Sequence, residues 1–285
     1  MSLLLSAIGE CVEHLRAGPL AVGYSGGKDS TALLDVVLRA SESIGWSQKV
    51  VVIRTFVYVE DGDMESFAVR QLDAIGSLPN VVVEQAKAKA NQAFFANVCG
   101  RGYWLPSEAH NVHWCRRRLK DAPFQKACRK HKTVYTALGM RRSESVARAR
   151  SMRTKRNREE MVTPIRNWRL SDVWGHIQGG VMWNANMHEE LRHIYRGRPR
   201  DGCWCCTKTA NQDLSTSRGE LTRWLRGISN EPRRYSAILE GGSLRLTLRV
   251  RRMILDRLVA IGHVFVPGER EFIDEMLAKA ELAFD

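Results

Sequence analysis

A chain of 285 residues, 44% hydrophobic and 26% charged, is long enough for one large α/β domain or a domain with a smaller appendage, and excludes collagenous and disordered classes. Forty-four Lys and Arg against 31 Asp and Glu leave a net +13, which favours a polyanionic partner such as nucleic acid; a basic pocket within a generally basic surface gives the same balance. No run of eighteen apolar residues occurs, so no membrane span or membrane partner is predicted, and 7 cysteines point to metal or redox chemistry in a cytoplasmic protein rather than to a disulfide framework.

The opening Leu3-Leu4-Leu5 has no basic region before it and is soon broken by Glu10 and Glu13. It reads as an amphipathic helix with Leu4, Ile8, Cys11 or Val12, and Leu15 on one side, not as a signal peptide. Next comes a short apolar strand, Leu20 to Gly23, and then the loop Gly23-Tyr24-Ser25-Gly26-Gly27-Lys28-Asp29-Ser30. An apolar helix follows from Lys28 through Leu33, Leu34, Val37 and Leu38. Two adjacent glycines turn the backbone tightly and bring successive N–H groups to one concavity, at which the helix aims its positive end. Lys28 adds a cation, and Ser25 and Ser30 add hydroxyls, so the loop is a candidate phosphate site. It is not a Walker loop, because Gly23 lies one residue too close and Asp29 follows the lysine. The plain alternative is a glycine turn of the kind any α/β protein contains.

Ser25 to Ser30 resemble the signature S-G-G-[KA]-D-S of the PP-loop ATP pyrophosphatase superfamily. That resemblance implies an adenine nucleotide α-hydrolase-like fold, ATP with Mg²⁺ held by Ser25, Gly26, Gly27, Lys28, Asp29 and Ser30, and catalytic roles for Lys28, Asp29 and Ser30. It also implies cleavage of ATP between the α- and β-phosphates, with AMP transferred to a substrate oxygen.

Beyond the loop helix, Val50 to Val59 is a β-branched run suited to a buried parallel strand. It ends in Glu60-Asp61-Gly62-Asp63, where carboxylates at a strand's carboxyl end orient Mg²⁺ or ribose, or simply open the helix Met64 to Ile75. Asp61 is therefore a nucleotide-site candidate. Val81 to Val83 and Thr133 to Leu138 supply a third and a fourth strand, and the β-α-β-α rhythm predicts a doubly wound, mostly parallel sheet. The polar, aromatic stretch 91–132 reads as an insertion.

The fourth strand delivers Gly139-Met140-Arg141-Arg142-Ser143-Glu144-Ser145. Glycine permits a sharp exit, and guanidinium groups there clamp phosphate. Gly139 and Arg141 are assigned to the nucleotide, and Arg142, Ser143 and Glu144 to a substrate phosphate. The basic run from Arg141 to Arg158 reads as a phosphate-facing segment, with a solvated helix face as the alternative. Met161 to Ile165 is predicted as a strand, followed by an amphipathic helix capped by Ser171 with Trp168 and Trp174 on its core side. The rest, Leu221 to Leu225, Leu244 to Ile261 and Glu269 to Phe284, reads as a helical appendage broken at Gly241-Gly242 and Pro267-Gly268. The predicted division is 1–200 for the nucleotide domain and 201–285 for the cysteine element with the C-terminal helices.

Gly202-Cys203-Trp204-Cys205-Cys206 holds a C-x-x-C pair whose turn presents two sulfurs to one side, and His113-Trp114-Cys115 is a second thiol segment. His110 and His113 are left unassigned. The elements W-C-x-x-x-L-K-x-x-P, G-x-R-x-S-E-S and G-C-W-x-C occur here in that order, and the chain resembles the sulfate-reductase-like ATP pyrophosphatases of bacterial DNA phosphorothioation systems. Leu246 to Arg252, continuing to Leu258, is similar to the same branch. That resemblance implies a [4Fe–4S] cluster on Cys115, Cys203 and Cys206, with Cys205, Cys128 or no protein ligand in the fourth place. It also implies a DNA or RNA substrate, a cysteine desulfurase as sulfur donor and other modification-system subunits as partners. Zinc and plain buried thiols are the alternatives for the cysteines. Rival functions are a phosphoadenylyl-sulfate reductase, a tRNA thiolation enzyme and a non-catalytic nucleic-acid-binding subunit. The reductases generally lack the loop lysine and end in a catalytic E-C-G, whereas this chain has Lys28 and no cysteine after Cys206.

Overall fold

The structure, a computed structural model, describes residues 2–60, 62–107, 112–154, 161–195, 203–207, 216–238 and 244–282. Asp61, His110, the basic run beyond residue 154, Gly202 and Gly241-Gly242 lie outside the described residues. Elements run α1 (Leu3–Ala17), β1 (Leu20–Gly23), α2 (Lys28–Ser43), β2 (Val50–Phe56), α3 (Gly62–Ile75) and β3 (Val81–Lys87), then α4 (Trp114–Arg116) and α5 (Ala122–His131). They continue as β4 (Tyr135–Ala137), α6 (Val146–Thr154), β5 (Met161–Val162), α7 (Leu170–Gln178), α8 (Met187–Tyr195), α9 (Ser217–Asn230) and α10 (Pro232–Tyr235). A short hairpin, β6 (Ser236–Ile238) with β7 (Leu244–Leu246), precedes α11 (Leu248–Ala260) and α12 (Glu269–Leu282). No helix of the described residues is long and apolar enough to cross a membrane.

The chain forms two compact units. The first comprises Met1–Thr55, Gly62–Ala86 and Phe124–Asp201. Its sheet has the order β3-β2-β1-β4-β5, with β1 parallel to both β2 and β4, and β4 parallel to β5. This is the α/β doubly wound fold expected from the sequence. Its strands read as continuous apolar runs because both faces are covered. Leu20, Val22, Val50 and Val52 face the cluster that holds Leu33, Val37, Phe67 and Leu72, while Ala21, Val51 and Ile53 pack with Ala127 and Phe124. Strand order reverses between β1 and β4, so the loops leaving these two strands flank the topological switch point where open α/β sheets bind ligands.

A buried carboxylate inside this unit is matched by several donors. Asp35, fully buried on α2, accepts from Arg39 Nε at 2.6 Å and from the Met182 N–H at 2.7 Å, with His176 Nε2 2.8 Å away. Burial pushes its carboxyl up, but the hydrogen bonds from His176, Arg39 and Met182 outweigh that and hold it below the usual range. Helix α7 is capped differently from the expectation. Arg169 occupies the cap position and its N–H donates to the Asp172 carboxylate at 2.7 Å, which leaves Ser171 in the first turn. A carboxylate three residues on reaches that orphan donor and complements the helix dipole.

The second unit comprises Phe56–Asp61, Lys87–Pro123 and Gly202–Asp285. One apolar cluster joins Phe94, Phe95, Leu105 and Leu119 to Leu225, Ile254, Leu258 and Ile273. Most of the 91–132 stretch shares this core with the C-terminal helices, and its last residues form most of α5 in the sheet unit. Leu244–Leu246, expected to begin a helix, instead pairs antiparallel with Ser236–Ile238. The helix starts only after Thr247, whose hydroxyl caps the Val250 N–H at 3.5 Å. Buried Arg251 donates from Nε to the Cys99 carbonyl at 2.7 Å and from Nη2 to that of Gly100, and Glu269 accepts from the Ala96 N–H at 3.1 Å.

His263 packs its ring against Phe95, Trp204 and Phe265, at centroid distances of 5.0, 5.7 and 4.8 Å. Burial, aided by the Arg218 charge, lowers its pKa from 6.5 to about 4. The unfolded chain therefore binds a proton that the folded chain refuses between those two values, and stability falls as pH drops through that window. Thermal unfolding followed from pH 7 to pH 4 is expected to show this loss, and His263→Phe, which keeps an aromatic ring without a titrating group, is expected to flatten it.

Candidate functional site

In the first unit the chain leaves β1 at Gly23 and enters α2 at Lys28. Gly26 has φ +82°, and a Cβ built there would stand 2.6 Å from the Ala68 Cβ, so the loop's turn against α3 admits only glycine. Gly27, at φ −72° and ψ 159°, is the helix cap. Its carbonyl accepts from the Thr31 N–H at 2.9 Å and from the Ser30 hydroxyl at 2.8 Å. The Ser30 oxygen also accepts from the Ser25 N–H at 3.2 Å and lies 3.1 Å from the Ser25 hydroxyl. The two serines thus fasten the loop to the first turn of α2.

Beneath the loop is Arg54 of β2, fully buried, whose Nη1 donates to the Ser25 carbonyl at 2.7 Å. The buried Lys28 ammonium lies 3.4 Å from Asp29 Oδ2 and 4.6 Å from the centroid of the Tyr195 ring. Asp29 Oδ1 accepts from Arg141 Nε at 2.5 Å. Arg141 is itself buried and gives Nη1 to the Ser143 hydroxyl at 2.8 Å, which donates to the Trp168 carbonyl at 3.0 Å. Glu144 accepts from the Arg141 N–H at 3.0 Å and pairs with Arg148 at 3.1 Å. The structure therefore brings Ser25, Lys28, Asp29, Ser30, Arg141, Ser143 and Glu144 into one connected network. Arg141, expected on the nucleotide, is engaged with Asp29, and exposed Arg142 donates to Asn167 Oδ1 at 3.1 Å. Gly139 is where β4's exit meets the loop helix: a Cβ there would lie 2.7 Å from the Asp29 carbonyl oxygen.

In the second unit, Trp114–Arg116 opens one helical turn that becomes a π-turn over Arg117–Asp121, and the Trp114 indole donates to the Trp104 carbonyl at 2.7 Å. The Cys206 N–H closes a turn on the Cys203 carbonyl at 3.1 Å, and the Trp204 N–H donates to the Val59 carbonyl at 2.9 Å. Burial pushes the Cys203 thiol up to about 12; Lys120 opposes that rise, and Glu60, Cys206 and Cys115 add to it. Buried Cys205 is raised well above the ordinary thiol range by burial and by Cys203, Cys206 and Cys115. Burial disfavours the Lys120 charge, but Cys203 and Glu60 outweigh it and raise its pKa, with the Glu60 carboxylate 3.6 Å from Nζ. Cys115, Cys203, Cys205 and Cys206 are thus electrostatic neighbours of one another, with Lys120 beside Cys203 and Cys115. Among the described residues, however, no group of three or more His, Cys, Asp or Glu side chains is arranged to hold a metal ion. Lys120 favours the thiolate form of Cys203, the form a metal would take, and no chemical step below runs through a cluster. Cys128 belongs to the sheet unit, with its sulfur 4.0 Å from the Thr136 hydroxyl.

Residues 19–209 match the phosphoadenosine phosphosulfate reductase domain. The chain belongs to that family. Similar proteins include two uncharacterised proteins of Methanocaldococcus jannaschii: one is 28% identical over 124 residues, 40% of this chain and 29% of the relative. The other is 23% identical over 224 residues, 76% of this chain and 42% of the relative, so the chain spans less than half of either. Among solved structures, a phosphoadenylyl-sulfate reductase from Candida auris in a phosphate complex is 16% identical, with a TM-score of 0.47 over 70% of this chain and 88% of that one.

Two residues of this phosphoadenosine phosphosulfate reductase domain escaped the sequence reading. Arg54 left a signal, a lone cation inside the run Val50-Val51-Val52-Ile53-Arg54-Thr55-Phe56, since a fully buried charge must serve specific partners. Tyr195 left none, because only the packing of α8 brings it to the loop.

Proposed function

We propose that this domain is an ATP pyrophosphatase that adenylates a nucleic-acid backbone oxygen for sulfur insertion, as in DNA phosphorothioation. The observation that carries the reading is Lys28 at the first turn of α2, buried and held between Asp29 and Tyr195. An ammonium at a helix N-terminus is suited to take up charge developing on departing pyrophosphate. Asp29, fixed by Arg141, sets where that ammonium stands and is a positioning group rather than a base. Family membership supports a nucleotide-using enzyme connected with sulfur chemistry.

In this reading ATP enters as its magnesium complex. A nonbridging oxygen of the phosphodiester attacks the α-phosphorus, the bond to the bridging α–β oxygen breaks, and its electron pair leaves with pyrophosphate. A sulfide equivalent, supplied by a partner such as a cysteine desulfurase, then attacks the backbone phosphorus and AMP departs with the bonding pair. The basic surface accommodates the polyanion, and affinity falls steeply as salt rises. The thiols around Lys120 are proposed to serve the sulfur branch of this chemistry.

The family match also suits a second reading, reduction of phosphoadenylyl sulfate. Anaerobically purified protein given magnesium ATP, with and without DNA, is expected to release AMP and pyrophosphate. Given phosphoadenylyl sulfate and a dithiol reductant, it is expected to release no sulfite. Sulfite release without ATP splitting would reverse the assignment.

A further inference from the structure

The first N–H groups of α2 have no carbonyl partner within the helix and are the donors that an anion at this loop would use. The Lys28 N–H donates to the Tyr195 hydroxyl at 3.2 Å, and a Cβ built on Gly27 would lie 3.0 Å from the same oxygen. The ring of Tyr195 faces the Lys28 ammonium at 4.6 Å. Tyr195 is 6% exposed, and Trp174 packs edge-on against it at 5.6 Å and 86°. One side chain thus engages both the amide and the ammonium that phosphate recognition calls for.

We propose that Tyr195 is a resident of the phosphate site, its hydroxyl oxygen holding the acceptor position that a phosphate oxygen takes when nucleotide binds. The inference rests on the loop being a phosphate site. A neutral hydroxyl is a weaker acceptor than a phosphate oxygen, so it satisfies the buried Lys28 N–H and yields to ligand. The ring, buttressed by Trp174, keeps Lys28 at the loop in the meantime. Tyr195 thereby sets the loop's affinity: ligand must replace an existing hydrogen bond, and only the difference between the two acceptors counts toward binding.

The test is calorimetric titration of wild type, Tyr195→Phe and Tyr195→Leu with pyrophosphate and with magnesium ATP. Tyr195→Phe keeps the ring over Lys28 and the packing on Trp174 while removing the competing acceptor. It is expected to bind pyrophosphate about three- to tenfold tighter, the range that one net hydrogen bond supports. Tyr195→Leu, which also removes the ring that keeps Lys28 at the loop, is expected to keep only part of that gain and serves if the first variant fails to fold. Unchanged or weaker binding by the variants, with wild type binding normally, overturns the proposal. If neither wild type nor variants bind pyrophosphate or ATP, the phosphate-site reading itself falls and takes the role of Tyr195 with it.

Discussion

Lys28→Ala is expected to lower the rate of pyrophosphate release from ATP by a factor of about 10²–10³, as removal of one preorganised group opposite developing charge generally does. The loss belongs in kcat more than in KM, because charge accumulates on the leaving pyrophosphate only as the bond breaks. The fold is expected to survive. Asp29 keeps its Arg141 partner at 2.5 Å, so losing the ammonium 3.4 Å away does not leave that carboxylate unpaired. Lys28→Arg is not expected to rescue the rate, since the ring of Tyr195 at 4.6 Å and the burial of the site leave no space for a guanidinium fork. Steady-state kinetics beside a thermal melt check all three statements; a variant that melts normally and splits ATP at the wild-type rate would sink the role given to Lys28.

Gly139→Ala carries the second large effect, and it acts through backbone. A Cβ at residue 139 would sit 2.7 Å from the Asp29 carbonyl oxygen, 2.9 Å from its carbon and 3.2 Å from the Ser30 nitrogen. Those atoms belong to the first turn of α2, so relief cannot come from rotating a flexible side chain; either β4's exit or the loop helix must move. Overpacking of this kind costs about 1–3 kcal/mol. A displacement of even about 1 Å at a phosphate site costs on the order of a hundredfold in rate. The expected result is a lower melting temperature together with loss of ATP binding in titration. Gly45→Ala makes the comparison sharp: its backbone is strained at φ +65° but nothing lies within 4 Å of its Cβ, so stability falls while nucleotide binding stays.

The loop and its flanking strand and helix were legible because their signals are local: a glycine pair, a cap position and a helical apolar stripe lie within about twenty consecutive residues. The parallel sheet was legible for a similar reason, since Val50-Val51-Val52-Ile53 tolerates no face in water. What escaped was long-range. Nothing near Phe94 or Phe95 announces that their core partners lie beyond residue 220. Leu244-Arg245-Leu246 carries too few residues to separate strand from helix by period, and the hairpin partner decided it. At α7 the serine looked like the better cap until the Asp172 carboxylate claimed the donor. Lys120 stood in the quoted element W-C-x-x-x-L-K-x-x-P, yet nothing local tells that its charge acts on the Cys203 thiol across the chain.

The chain passes from one unit to the other five times, at residues 55/56, 61/62, 86/87, 123/124 and 201/202. During synthesis the sheet unit has all its residues once about 200 have emerged, while Phe94, Phe95, Val98 and Leu105 of the second unit wait for Leu225, Ile254 and Leu258. For roughly 60 further residues, several seconds at ordinary translation speeds, an incomplete apolar cluster hangs from a finished sheet. A fragment cut at residue 201 would make that interval permanent, so shortening the protein at its apparent boundary should yield a chaperone client rather than a minimal nucleotide domain.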